Sequence, residues 1–227
     1  MEVDDISTHI QIQVQLTEGS FKNKDGEVIF TRLWTNKDQT PKALIFVTHG
    51  FAEHSARYGD FLVPALVNEG FLVISHDHVG HGKSEGERVQ IHDFHAYVRD
   101  IFHNIDQVAA KHPSLSVFLF GHSMGGAIAI ITAMERPTFF TGVVLSGPAI
   151  ISDKDTTCLR CLGKMVAFIA PSVQVIPAID PAATCRDPEK IYEGYYHELL
   201  NEPRQYSNIV RRDIIEWLRK RMPASGS

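Results

Sequence analysis

The chain has 227 residues, with 44 % hydrophobic and 22 % charged, so roughly 70–75 % of its unfolded surface can be buried and whole-chain disorder is excluded. A net charge of −5 with a pI of about 6.2 argues against a nucleic-acid protein and against electrostatic docking on anionic membranes. Three cysteines do not make a disulfide framework, which points to a reducing compartment.

Met1 to Glu18 is acidic and lacks an apolar h-region, so no signal peptide is expected. The uncharged stretch from His112 to Met134 is interrupted by Pro113, Gly121, His122 and Gly125. It reads as strand, turn and helix rather than as a bilayer span. Moderate alternation predicts a strand over Val28–Trp34. A continuous apolar run predicts another over Ala43–Thr48, covered on both faces. Phe61–Glu69 reads as a helix and Phe71–Ser75 as a buried strand. Helical spacing of Val98, Ile101, Ile105 and Val108 marks Phe94–Lys111, which Pro113 stops. Val117–Phe120 is a third buried strand, Met124–Arg136 a helix and Gly142–Ser146 a fourth strand. Strands alternating with helices in this way predict a mostly parallel α/β sheet covered by helices. Beyond Ile151 the pattern changes. An amphipathic helix is expected over Cys158–Ala170, a short strand over Lys190–Tyr192, and a last helix over Tyr206–Arg221.

The strongest chemical signal is Gly121-His122-Ser123-Met124-Gly125. A serine hydroxyl becomes a nucleophile when a sharp strand-to-helix turn presents it to a base, and flanking glycines let backbone approach closely. Here an apolar strand precedes the motif and a small-residue helix follows, so Ser123 is the candidate nucleophile. The plainer alternative is a glycine-rich turn that packs helix on sheet. His49-Gly50-Phe51 follows the strand Ala43–Thr48 directly. The backbone N–H groups of Phe51 and Met124 are the candidate oxyanion donors, against an ordinary strand-end turn. The triad order is Ser, acid, His. His197 is the only histidine after Ser123, which makes it the candidate base rather than a surface-loop histidine. His76, Asp77, His78 and His81 form a glycine-rich loop that reads as a polar network, with metal binding the weaker alternative. Cys158-x-x-Cys161 has no second pair. The basic run Arg211, Arg212, Arg219, Lys220, Arg221 reads as a solvated helix face.

These segments together resemble the monoglyceride lipase family of the α/β-hydrolase superfamily. The resemblance is carried by His49-Gly50-Phe51-Ala52-Glu53-His54-Ser55, by Asp77-His78-Val79-Gly80-His81-Gly82-Lys83-Ser84-Glu85-Gly86, by the Ser123 motif, and by Lys190 to Glu198. It implies a serine esterase releasing fatty acid and glycerol from monoacylglycerols, with no cofactor and no metal. It also implies an apolar cap, partly Leu162–Ile179, that makes transient membrane contact. Absent targeting and such a cap together imply a cytoplasmic, peripherally membrane-associated protein. One departure stands out. The family carries its acid on a strand after the cap, and no such segment is found here. Seventy-four positions from Ser123 to His197 must hold a helix, a strand, the cap, the acid strand and another helix. A missing segment of several tens of residues is therefore expected, with its junction near Pro188–Lys190. The chain then divides into residues 1–150 (N-terminal core), 151–189 (cap remnant and junction) and 190–227 (histidine loop and terminal helix). The catalytic acid is unassigned; Asp153, Asp155, Asp180 and Asp187 are conceivable substitutes. Impaired turnover and lowered stability are expected. Another carboxylesterase or lysophospholipase, or a non-catalytic lipid-binding form, are the alternative readings.

Overall fold

The computed structural model describes residues 13–149, 200 and 204–222. Six strands form one sheet: β1 (Val14–Lys22), β2 (Val28–Asn36), β3 (Ala43–Thr48), β4 (Phe71–His76), β5 (Ser116–His122) and β6 (Phe140–Ser146). Their spatial order is β1-β2-β4-β3-β5-β6. The β1–β2 and β2–β4 pairs are antiparallel, and β4, β3, β5 and β6 run parallel. The helices are α1 (Leu62–Asn68), α2 (Phe94–Ala109), α3 (Met124–Glu135) and α4 (Arg204–Arg219). Among the described residues, no helix is long and apolar enough to cross a membrane.

The continuous apolar runs have a simple cause: both faces of the central strands are covered. Ile45, Val47, Phe71, Val73, Phe118 and Phe120 pack with α1 and α4. Their neighbours Leu44, Phe46, Leu72, Ile74, Val117 and Leu119 pack on the opposite face with α2 and α3. Side chains alternate across a strand, so each strand feeds two cores. Each fully buried Leu, Ile or Phe contributes about 1.5–3 kcal/mol. The Asp93 carboxylate caps α2 by accepting the His95 N–H at 2.9 Å. Val98, Ile101 and Ile105 then face the core, as their spacing predicts.

Helix α4 docks beside α1 and over β6. Arg219 forms a bidentate ion pair with Glu69 at 2.7 and 2.9 Å, and the Arg211 guanidinium lies over the Phe61 ring, 5.0 Å from its centroid. The basic face expected here is thus partly engaged. The Trp217 ring fills the space above Gly142, where a Cβ would stand 2.7 Å from Trp217 Cη2. Because Arg211 meets the start of α1 and Arg219 its end, α4 runs alongside α1 in the same direction. β1 is the element that the sequence reading lacks; only Val14 and Phe21 along it are even half-buried. It is held by nine residue pairs to β2 and by the Asn23 turn, where Asn23 Oδ1 accepts the Asp25 and Glu27 N–H groups. The expected helix at Cys158–Ala170, strand at Lys190–Tyr192 and cap lie outside the described residues.

Candidate active site

The candidate site is built at the carboxyl ends of β3, β4 and β5. Ser123 stands between the last residue of β5 and the first of α3, with φ 53° and ψ −119°. This is a left-handed conformation that a serine adopts at a cost of order 1–3 kcal/mol. Surrounding bonds hold it there. The Ser123 N–H donates to the Ser146 carbonyl at 3.0 Å. Its own carbonyl accepts from Gly126 at 2.9 Å, Ala127 at 3.2 Å and Ala149 at 2.9 Å. Gly125 packs against the end of β3, where a Cβ would lie 2.5 Å from the His49 carbonyl oxygen. Only glycine fits. The Ser123 side chain does not cap α3, and the residue is half-buried, so its hydroxyl is left for other partners.

Two backbone N–H groups are the candidate oxyanion donors. Those of Phe51 and Met124 have no acceptor among the described residues. Met124 opens α3, where the first N–H groups lack intrahelical partners. Phe51 follows Gly50, and a Cβ on Gly50 would lie 3.2 Å from both Ser123 Cβ and Glu53 Cδ. The Glu53 carboxylate is thus placed next to the Ser123 turn. It accepts the Gly50 N–H at 3.0 Å and the Tyr58 hydroxyl at 3.1 Å, pairs with Arg57 at 3.1 Å, and stands 3.7 Å from His122 Nε2. His122 Nδ1 lies 3.0 Å from the Ser146 carbonyl oxygen.

Under this surface lies a nest of buried imidazoles. His49 and His78 rings sit 4.1 Å apart, His76 and His78 5.2 Å, and Tyr97 packs 5.1 Å from His78. Burial pushes His49 and His76 down to about 3, drives His78 well below its ordinary value and lowers His81, so the rings are neutral near pH 7. The polar network expected for this loop is present but buried. Among the described residues, no group of three or more His, Cys, Asp or Glu side chains is arranged to hold a metal ion. Asp77, at the end of β4, ties the loops together. It accepts from the Ser55 N–H at 2.8 Å, the Ser55 hydroxyl at 2.5 Å, Arg32 Nη1 at 2.9 Å and the Lys83 N–H at 2.8 Å. Burial pushes its carboxyl up, but those bonds and the Arg32 charge outweigh burial and hold it below its ordinary value.

The structure therefore brings Ser123, Phe51 and Met124 together. His197 and the four aspartates considered as substitutes, Asp153, Asp155, Asp180 and Asp187, lie outside the described residues. Sequence reasoning did not single out Glu53 or Asp77 as functional. The available signal for Asp77 was a charged residue directly after a fully buried strand that opens on four apolar residues; for Glu53 it was a carboxylate three residues beyond Gly50.

Residues 39–191 match the family described as Serine aminopeptidase, S33. Human monoglyceride lipase is 45 % identical over 171 residues, covering 74 % of this chain and 55 % of the human protein. Monoacylglycerol lipase of Mycolicibacterium smegmatis is 35 % identical, covering 77 % of this chain and 62 % of its own. Phospholipase YtpA of Bacillus subtilis is 30 % identical, covering 83 % and 69 %. The chain spans about half the length of the human relative. A soluble variant of yeast (Saccharomyces cerevisiae) monoglyceride lipase, solved with a substrate analogue, superposes with a TM-score of 0.71 at 18 % identity, over 95 % of this chain and 98 % of that one. A thermostable carboxyl esterase of Bacillus coagulans, in complex with glycerol, does so with a TM-score of 0.56 at 27 % identity, over 68 % and 51 %. With the sheet order above, these likenesses make the architecture the α/β-hydrolase fold.

Proposed function

The chain belongs to the Serine aminopeptidase, S33 family, and from that premise we propose that it is a serine esterase acting on monoacylglycerols. The observation that carries the reading is the strained Ser123 turn, with the Phe51 and Met124 N–H groups left without an acceptor among the described residues. In this reading Ser123 Oγ attacks the ester carbonyl and His197 takes its proton. The carbonyl oxygen becomes an oxyanion held by the N–H groups of Phe51 and Met124. His197 then protonates the leaving glycerol oxygen, and water hydrolyses the acyl-enzyme.

The names of the human and mycobacterial relatives support the substrate class. So does the polar cluster of Glu53, Arg57, Tyr58 and His122, which suits the hydroxyls of a polyol head. A phosphate head, as in a lysophospholipid, would meet the Glu53 carboxylate. The same reading divides the chain into core (1–150), shortened cap and junction (151–189) and returning core segment (190–227). It further holds that the protein is cytoplasmic and touches membranes through its apolar cap.

The test is monoacylglycerol hydrolysis by the purified folded chain beside Ser123→Ala and His197→Ala. Loss of the triad acid's function costs about 10⁴-fold in turnover, so turnover well below that of a complete relative is expected, and none in either variant. Hydrolysis that survives Ser123→Ala refutes the reading. Saturable lipid binding without turnover or covalent labelling of Ser123 by a serine-directed phosphonate identifies a non-catalytic lipid-binding form instead.

A further inference from the structure

The loop that carries the Phe51 N–H is gripped at one residue, from two sides. The Gly50 N–H donates to Glu53 Oε2 at 3.0 Å. The Gly50 carbonyl lies 2.7 Å from His49 Nδ1. A carbonyl only accepts, so Nδ1 carries the ring proton. His49 Nε2 is then the lone-pair nitrogen, and it accepts the His78 N–H at 3.0 Å. Both ring nitrogens are used and one neutral tautomer is specified. Burial supports this, since it pushes His49 down to about 3 and leaves the ring uncharged. His78 is itself fixed by its Nε2, 2.9 Å from Thr48 Oγ1 and 3.2 Å from the His49 carbonyl oxygen.

The consequence follows from peptide geometry. The Gly50 carbonyl and the Phe51 N–H belong to one planar unit, and the described peptide bonds are all trans. In a trans unit the C=O and N–H point in opposite directions. Holding the carbonyl toward His49 therefore turns the Phe51 N–H away from it, where it has no acceptor among the described residues. Glu53 fixes the preceding peptide plane in the same way. We infer that His49 and Glu53 are positioning residues whose joint grip on Gly50 aims the Phe51 N–H at the oxyanion. The inference rests on the serine-esterase reading and adds to it two side chains that act through the backbone. It also gives Glu53 a duty independent of any polyol.

The test uses variants that keep or lose one contact each, with p-nitrophenyl butyrate, an ester without a polyol, as substrate. An asparagine in place of His49 puts its amide N–H about where Nδ1 stands and keeps the grip on Gly50. A glutamine reaches instead to the Nε2 position and loses it. Removing one oxyanion donor costs about 10²–10³-fold in kcat. His49→Gln and Glu53→Ala are expected to approach that loss with KM unchanged, and His49→Asn and Glu53→Gln to recover most of the rate. Equal loss in His49→Asn and His49→Gln, or a loss confined to KM, overturns the inference. So does a Glu53→Ala defect seen with monoacylglycerol and not with p-nitrophenyl butyrate. If the wild-type chain hydrolyses neither ester, the esterase reading falls, and the grip is read without activity. A long-range ¹H–¹⁵N spectrum showing His49 protonated on Nδ1 and bare on Nε2 supports the His49 hold on Gly50, and the opposite tautomer overturns the inference whatever the activity.

Discussion

Replacing Asp100 by asparagine is expected to stabilise the protein, and by an amount that depends on pH. Asp100 lies on the buried side of α2 at 3 % exposure. Its carboxylate accepts one bond, from Asn23 Nδ2 at 3.3 Å. The same amide donates to Glu27 at 2.9 Å, which brings a second carboxylate close. Arg99 is engaged with Asp93 and Asp25 at 2.8 and 3.0 Å. Burial pushes Asp100 up to about 7; the Asn23 bond and the Arg99 charge oppose this, and the charges of Glu27 and Asp25 add to it. In the unfolded chain the carboxyl titrates near its ordinary value, about 3.9. Between about pH 4 and pH 7 the folded state therefore binds the extra proton, and stability falls as pH rises. Above pH 7 the whole penalty is present. Three units at about 1.4 kcal/mol each set it at about 4 kcal/mol or less. The asparagine side chain keeps the shape and the acceptor for Asn23 without the charge. Urea unfolding of both proteins, followed by circular dichroism from about pH 5 to pH 8, measures the difference. The gain from Asp100→Asn is expected to grow across that range and to level off above pH 7. Parallel pH profiles, or a variant less stable than wild type at the alkaline end, refute the reasoning.

Two other perturbations test the frame around the site. Asp77→Ala leaves Arg32 buried, with Glu18 at 3.3 Å as its remaining carboxylate partner, and is expected to cost about 3–5 kcal/mol in urea unfolding. Because the folded-state value of Asp77 is depressed, its contribution is present above the unfolded value and lost as pH falls through the folded one, so wild type loses this advantage only below about pH 4. Gly142→Ala forces a methyl group against Trp217 and Phe118 and is expected to cost about 1–3 kcal/mol. Trp217→Ala removes that obstacle, so the double variant should be clearly more stable than the summed single effects imply, and strict additivity would show that α4 does not dock there.

The sequence made most of the central sheet legible, because covered strands have to be apolar throughout. Ala43–Thr48 was read with the observed limits, and the strands from Phe71, Val117 and Gly142 were found with ends short by one to three residues. The residues missed at the carboxyl ends of β4 and β5, His76, Gly121 and His122, lie at the functional edge and carry no apolar signal. β1 was not legible, since it buries almost nothing and is held by backbone pairing. The site was half legible. Ser123, Phe51 and Met124 follow from a local pattern that the backbone must satisfy. Glu53, Asp77 and the His49–His78 contact act across 3 to 45 positions of chain, and nothing in a single sequence says which polar groups such loops bring together.

That division has a mechanistic side. Among the described residues, the hydrogen bonds that shape the Ser123 turn and the Phe51 loop come from residues between Thr48 and Ala149: Ser146 and Ala149 on the Ser123 turn, Glu53, His49 and His78 on the Phe51 loop. In the proposed reading, the half of the apparatus that receives the carbonyl group is built from this stretch, and the half that moves the proton calls on His197 and an unassigned acid. The two halves can fail separately. Slow labelling of Ser123 by a phosphonate, strengthened by intact His49 and Glu53, alongside weak ester turnover would locate the defect in proton transfer. Substitution of Asp153, Asp155, Asp180 and Asp187 one at a time then finds the acid, because only the residue that orients His197 should lower kcat further while leaving the oxyanion loop as it is.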